Sequence, residues 1–168
     1  MTLAADLIEQ AERLATLEPG EPKQASLRRA VSAAYYGLFH MLTAEAAACV
    51  VPDRPDRLAP LVQRTFDHGS MKRVCLGFAT YRGSGPLLEL LEGQLDDGIR
   101  RMAKTFIDLQ QARQAADYDM LHTLTREETV SVVADLRDAI AEWRRIAGTP
   151  NHAVFLVALA IPRLIGVR

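Results

Sequence analysis

Apolar side chains recur along most of the chain at intervals of three and four residues, the spacing that places them on one face of an α-helix. In a first helix, predicted over about 2–17, such a face is formed by Leu3, Leu7 and Leu14. No segment sustains the two-residue alternation that is typical of a half-buried strand. The pattern therefore predicts an all-α protein.

Five further helices are expected after breaks that are rich in proline or glycine. They are predicted at about 23–50, 61–77, 86–116, 125–147 and 151–162. The segment 51–60, with its three prolines, is predicted as a surface connection, and Gly69 can divide the third helix in two. We expect a single domain over 1–168, an up-down antiparallel bundle of four to five helices with a C-terminal apolar helix.

The composition excludes some classes of function. Twenty basic residues stand against 21 acidic ones, so a protein that coats nucleic acid or an anionic membrane is not indicated. Cys49 and Cys75 are too few for a disulfide framework or a four-thiolate zinc site. The longest apolar run, 153–162, is about half of what a bilayer span needs. Acidic residues interrupt the N-terminal apolar positions, unlike in a signal peptide. We expect a cytoplasmic protein without membrane contact, metal or cofactor.

The second predicted helix carries the clearest polar pattern. Ser32, Tyr36 and His40 follow one another at four-residue intervals, and Arg29 lies beside this stripe. Such side chains can hold a phosphate or orient a proton-transfer group, which makes Arg29, Tyr36 and His40 candidate binding residues. The alternative is that the aromatic rings are buried and their polar atoms bond to neighbouring helices.

Three segments in order resemble one large branch of the HEPN domains. Arg29–His40, which contains an Ala-Tyr-Tyr triplet and a Phe-His pair, is similar to the signature helix of that branch. Asp67–Gly69 is similar to the His-Gly element that follows it, and Arg113–Tyr118 to the Arg-x-x-Ala-Asp-Tyr element that closes the fourth helix. Trp143 has a suitable place on the closing helix, and the HEPN-like core would span about 23–147.

The resemblance implies a helical bundle that forms homodimers and acts in prokaryotic toxin–antitoxin, antiviral or RNA-processing systems. It also implies, for the active members, a metal-independent ribonuclease whose arginine and histidine are separated by four to six residues. An imidazole can exchange the proton of a 2′-hydroxyl, while a guanidinium stabilises charge on the phosphate.

That strict pair has no convincing counterpart in this chain. Arg145 precedes His152 by the required distance, but a glycine and a proline lie between them. Two relaxed pairs are candidate catalytic residues. Arg64 and His68 have three residues between them, which places both on one face if a helix is continuous there.

Arg113 and Tyr118, the other relaxed pair, have four residues between them. They resemble a variant in which tyrosine takes the histidine position and can be a target of nucleotide modification by a partner antitoxin. The alternative is a structural cluster in which Arg113 pairs with Asp117, which is also a candidate binding residue.

Three hypotheses follow, and they leave open whether the chain is an enzyme. The first is a non-catalytic or partner-dependent component that binds RNA, a nucleotide or a protein, such as an antitoxin or a nucleotidyltransferase-like protein. The second is a ribonuclease toxin that uses one of the relaxed pairs, supported by His40. The third is a homodimeric scaffold assembled through the apolar C-terminal helix.

Overall fold

A computed structural model describes residues 2–53 and 55–166. Within these residues the chain forms eight α-helices and no β-strand, which confirms the predicted all-α helical bundle. The helices are α1 (Leu3–Ala15), α2 (Gln24–Val50), α3 (Pro55–Gln63), α4 (His68–Ala79), α5 (Leu87–Leu90), α6 (Asp97–Tyr118), α7 (Arg126–Arg145), α8 (Pro150–Ala160) and a short 3₁₀ helix (Pro162–Ile165). Of the described helices, not one has the length and apolar character that crossing a membrane requires.

Helices α1, α2, α7 and α8 lie close to where the sequence predicts them, and α7 and α8 begin at recognisable caps. Before α7, Glu128 and Thr125 form a capping box: the Glu128 N–H donates to Thr125 Oγ1 at 3.1 Å, and the Thr125 N–H donates to the Glu128 carboxylate at 2.8 Å. At α8 the N-cap is Thr149, whose hydroxyl accepts from the His152 N–H.

The predicted connection over 51–60 and the predicted helix over 61–77 are both wrong in their boundaries. Helix α3 begins inside that connection, because Pro55 occupies a first helical position, where no N–H donor is needed. It ends at Gln63, and Asp67 starts a new helix by accepting a hydrogen bond from the Ser70 N–H at 2.8 Å.

The helix predicted over 86–116 is interrupted between α5 and α6. Gly93 has a φ of +68°, in the left-handed region that ends a helix. Asn151 of α8 bonds to the backbone of this gap: its amide donates to the carbonyls of Glu92 at 3.0 Å and Gln94 at 3.1 Å, and its carbonyl accepts from the Glu92 N–H at 2.8 Å. Asn151 therefore supports the backbone at the break between α5 and α6.

The chain divides into two compact units, 1–41 with 105–140 and 42–104 with 141–168. Each unit combines two separate chain segments, and the expectation of a single domain stays a prediction. In the first unit, Leu27 and Val31 of α2 share a buried cluster with Ala116 of α6 and with Leu124.

Helix α1 packs very closely on α2 in the first unit. A Cβ placed on Gly37 would lie only 2.7 Å from Cγ1 of Ile8 and 3.2 Å from the carbonyl oxygen of Ala4. The absence of a side chain at Gly37 therefore permits the close approach of the α1 backbone.

In the second unit, the apolar helix α8 packs against α4 and the 3₁₀ helix. Phe155 is buried, with its ring edge-on to Phe78 at 4.9 Å and to Trp143 at 5.3 Å. Cys49 and Cys75 are free thiols, and complete burial raises the pKa of Cys75. The buried Cys75 thiol is therefore an unreactive core group.

His152 of α8 is a polar side chain in this apolar setting. Its ring lies 4.3 Å from that of Trp143, whose Nε1 donates to the Glu45 carboxylate at 2.7 Å. His152 Nε2 is buried and has no hydrogen-bond partner among the described residues. Burial lowers the pKa of His152, and the negative charge of Glu45 only partly offsets this effect. The imidazole is therefore neutral at pH 7.

A buried neutral imidazole makes the stability of the chain depend on pH in one direction. Above the ordinary histidine pKa of about 6.5, His152 is neutral in both the folded and the unfolded states. Below it the unfolded chain takes up the proton first, so the free energy of unfolding falls. We expect the free energy of unfolding, measured with urea, to fall less between pH 7 and pH 5 in His152→Phe, which keeps a ring against Trp143, than in the parent chain. Parallel pH profiles of the two proteins would contradict this assignment.

Candidate functional site

The candidate site lies in the first unit, where a polar stripe of α2 faces the C-terminal end of α6. Arg28, Ser32 and Tyr36 form the stripe at four-residue intervals, and Arg113 and Asp117 project from α6. These two helices carry two of the three segments on which the HEPN resemblance rests.

Arg113 is surrounded by aromatic rings. Its guanidinium carbon lies 5.3 Å from the ring centres of both Tyr36 and Tyr118, and 5.9 Å from that of Tyr35. Its Nη2 donates to the Tyr36 hydroxyl at 2.7 Å and reaches the Tyr118 hydroxyl at 3.4 Å. Only 16% of the Arg113 side chain is exposed. The tyrosines therefore hold this cation in one orientation through both hydrogen bonds and cation–π contacts.

Asp117 compensates the charge of Arg113. Arg113 Nε lies 2.7 Å from Asp117 Oδ2, an ion-pair distance without the alignment of a hydrogen bond. The other carboxylate oxygen accepts from the Ser32 hydroxyl at 2.5 Å. The structure thus confirms the expected pairing of Arg113 with Asp117, and it adds Ser32 as the link to α2.

The electrostatics make Arg113 a permanent cation. Burial disfavours the charged guanidinium, but the neighbouring Tyr36, Asp117 and Tyr118 outweigh that effect and raise the pKa of Arg113 above its ordinary value. Arg113 therefore cannot exchange a proton, and it acts by positioning the tyrosine hydroxyls that it contacts.

Arg28 is the residue that the sequence analysis missed. Its guanidinium donates to the carbonyls of Ala116 at 2.7 Å, Asp119 at 3.0 Å and His122, which end α6 and form the following loop. Its neighbour Arg29, the predicted binding residue, is exposed. The available signal was the position of Arg28 four residues before Ser32, on the stripe itself.

The loop after α6 has a fixed backbone and exposed apolar side chains. The Asp119 carboxylate accepts from the N–H groups of Leu121 and His122, at 2.9 and 3.3 Å. Tyr118, Met120 and Leu121 are nevertheless 71%, 88% and 91% exposed. We call these three residues the apolar tip.

The remaining candidates lie apart from Arg113 along the chain. His40 is half-buried one turn beyond Tyr36 on α2, with its ring edge-on to Phe39 at 5.6 Å. Arg64 is exposed in the turn after α3, whereas His68 is the first residue of α4. Arg64 and His68 therefore do not share a helix face, because the helix is not continuous between them.

Nothing in the described part of the chain groups three or more His, Cys, Asp or Glu side chains as a metal site would require. Comparisons with protein-family models, curated proteins and solved structures found no match. The HEPN resemblance therefore remains a proposal that rests on the sequence segments.

The contacts of Arg28 predict that this side chain holds the backbone of the apolar tip in its conformation. A lysine ammonium is a compact group that lacks the planar fork of donors with which Arg28 spans the three carbonyls. We expect Arg28→Lys to lower the free energy of unfolding by about 1–3 kcal/mol and to accelerate hydrogen exchange at residues 116–124. Arg29→Lys is the matched control and should leave both unchanged. Equal effects of the two substitutions would refute this role.

Proposed function

We propose that the chain is a HEPN-like protein of a prokaryotic toxin–antitoxin or defence system that acts by binding a protein partner, without catalysis of its own. The contact surface is the apolar tip together with the partly exposed Tyr36. The observation that carries this proposal is the near-complete exposure of Met120 and Leu121 on a backbone that Arg28 and Asp119 hold in place.

The composition of the surface favours a protein partner. Tyrosine, methionine and arginine are enriched in protein interfaces relative to the rest of a protein surface. A fixed backbone also reduces the ordering cost of association, because the loop does not have to be immobilised when the partner binds. The apolar tip thus combines suitable side chains with a pre-formed conformation.

The ion pair of Arg113 argues against a catalytic or phosphate-binding role. A phosphate oxygen that approached the guanidinium would compete with the Asp117 carboxylate, which lies 2.7 Å from Nε. An arginine whose charge is already compensated offers little additional stabilisation to a developing negative charge. This favours the non-catalytic hypothesis over the ribonuclease.

The resemblance adds a class of partner to this surface. In the variant that Arg113 and Tyr118 resemble, the tyrosine can be modified by a nucleotidyltransferase-like antitoxin. Tyr118 has the exposure that such a reaction needs. The scaffold hypothesis has less support, because α8 buries Phe155, Leu156 and Leu159.

The test is to co-express the chain with the proteins of adjacent genes and to measure the complexes by light scattering and calorimetry. We expect the double substitution Met120→Ser with Leu121→Ser to weaken a complex by about tenfold or more. The matched control removes two other exposed leucines, Leu61→Ser with Leu76→Ser, and should leave the affinity unchanged. Equal affinities for all three proteins would contradict the proposed surface. Light scattering of the chain alone tests the homodimer that the resemblance implies.

One observation favours a ribonuclease as the second candidate. The Tyr118 hydroxyl lies 3.4 Å from Arg113 Nη2 and is accessible to a large substrate. A tyrosine there could exchange a proton with a 2′-hydroxyl, while Arg113 faced the phosphate.

Incubation with single-stranded RNA in the presence of a chelator separates the two candidates. If the chain acts by binding a partner, the purified chain should cleave no more RNA than a matched preparation of Arg113→Lys. Cleavage that persists in Arg29→Lys but is lost in both Arg113→Lys and Tyr118→Phe would establish the ribonuclease instead. Loss confined to His68→Gln would place the activity in the second unit.

A further inference from the structure

A second polar concavity lies in the second unit, beside the irregular segment that joins α4 to α6. It is an open cleft of about 450 Å³, within the range of small-molecule sites. It is lined by Tyr81, Arg82, Gly83, Leu88, Gly93, Gln94, Leu95, Asp97 and Arg100.

The cleft contains a fixed guanidinium. Arg100 Nη1 donates to the carbonyls of Ala79 at 3.1 Å and Tyr81 at 3.2 Å, which orients the side chain at the end of α4. Both acceptors are uncharged carbonyl oxygens, and among the described residues no ion pair compensates the charge of Arg100. The adjacent Arg101, in contrast, pairs with Glu142 at 2.5 Å. Arg100 is therefore a pre-positioned cation with capacity for an anion.

Arg82 adds a second guanidinium beside that of Arg100, because its Nη1 donates to the same Tyr81 carbonyl oxygen, at 3.1 Å. Arg82 is exposed, and among the described residues this carbonyl is its one hydrogen-bond partner. Asp97 is the one acid in the lining, so the cleft carries two positive charges against one negative charge. The first turn of α6 also begins here, and the unpaired N–H groups of a helix start favour an anion.

The rest of the lining fits a larger ligand than an inorganic anion. Tyr81 and the exposed Leu88 offer an apolar wall on which a flat ring can lie. The Asp97 carboxylate can accept hydrogen bonds from sugar hydroxyls, and the Gln94 amide can bond to the edge of a base. Gly83 and Gly93 add no side chains to the lining.

We propose that this cleft binds a ribonucleoside monophosphate. In this arrangement the phosphate binds to the N–H donors that Arg82 and Arg100 leave free beside the Tyr81 carbonyl, the ribose hydroxyls face Asp97, and the base lies against Tyr81 and Leu88. The proposal is independent of the apolar tip, since the cleft belongs entirely to the second unit.

Calorimetric titration of the full chain tests this proposal. The ligands are the four ribonucleoside monophosphates, adenosine, 2′-deoxyadenosine monophosphate and inorganic phosphate. We expect at least one monophosphate to bind about tenfold or more tightly than either adenosine or inorganic phosphate. The deoxynucleotide should bind more weakly than its ribose counterpart, and Asp97→Asn should remove that difference. Inorganic phosphate that bound as tightly as the nucleotides would reduce the cleft to a simple anion site and overturn the proposal.

The arginines are tested with a control of equal charge change. Because the Arg82 side chain is exposed, Arg82→Gln should fold normally. It should nevertheless weaken monophosphate binding by about tenfold. Arg144→Gln removes an exposed arginine of the same unit that does not line the cleft, and should bind like the parent chain. Equal affinities for Arg82→Gln and Arg144→Gln, or no binding of any monophosphate, would overturn the proposal. A short single-stranded RNA that bound far more tightly than every monophosphate would also overturn it.

Discussion

The ion pair between Arg113 and Asp117 is the interaction on which the candidate site depends. A guanidinium with so little exposure needs a compensating charge, because removing either partner would leave an unpaired ion in a partly desolvated place. Asp117 supplies that charge and also accepts from Ser32, so the pair connects the end of α6 to α2. The position of Tyr118 and of the loop beyond it follows from this connection.

Arg113 and Arg100 illustrate how the partners of an arginine decide what it can bind. Arg113 faces a carboxylate and three aromatic rings, so its charge is compensated within the first unit. Arg100 faces two carbonyl oxygens, which orient the guanidinium without cancelling its charge. The first therefore suits a structural role beside a protein-binding surface, and the second suits an anion.

Much of the helical architecture could be predicted because caps and periodicity are local. Thr125 and Glu128 mark the start of α7 without any information from elsewhere. The break before α6 could not be predicted in this way, because the apolar period continues through it and the supporting Asn151 lies far along the sequence. For the site, the four-residue spacing identified the face of α2 on which Tyr36 lies. That Arg28 and not Arg29 belongs to the site could not be predicted, because it depends on where the loop after α6 lies.

The bonds of Asn151 also bear on the order in which the chain acquires its structure. The backbone groups of Glu92 and Gln94 receive these partners only when residue 151 is present, about 60 residues later in synthesis. On a ribosome the segment between α5 and α6 therefore emerges with polar groups that water must satisfy. The second unit is completed late, by a long-range contact whose loop-closure entropy slows its formation relative to the local helices.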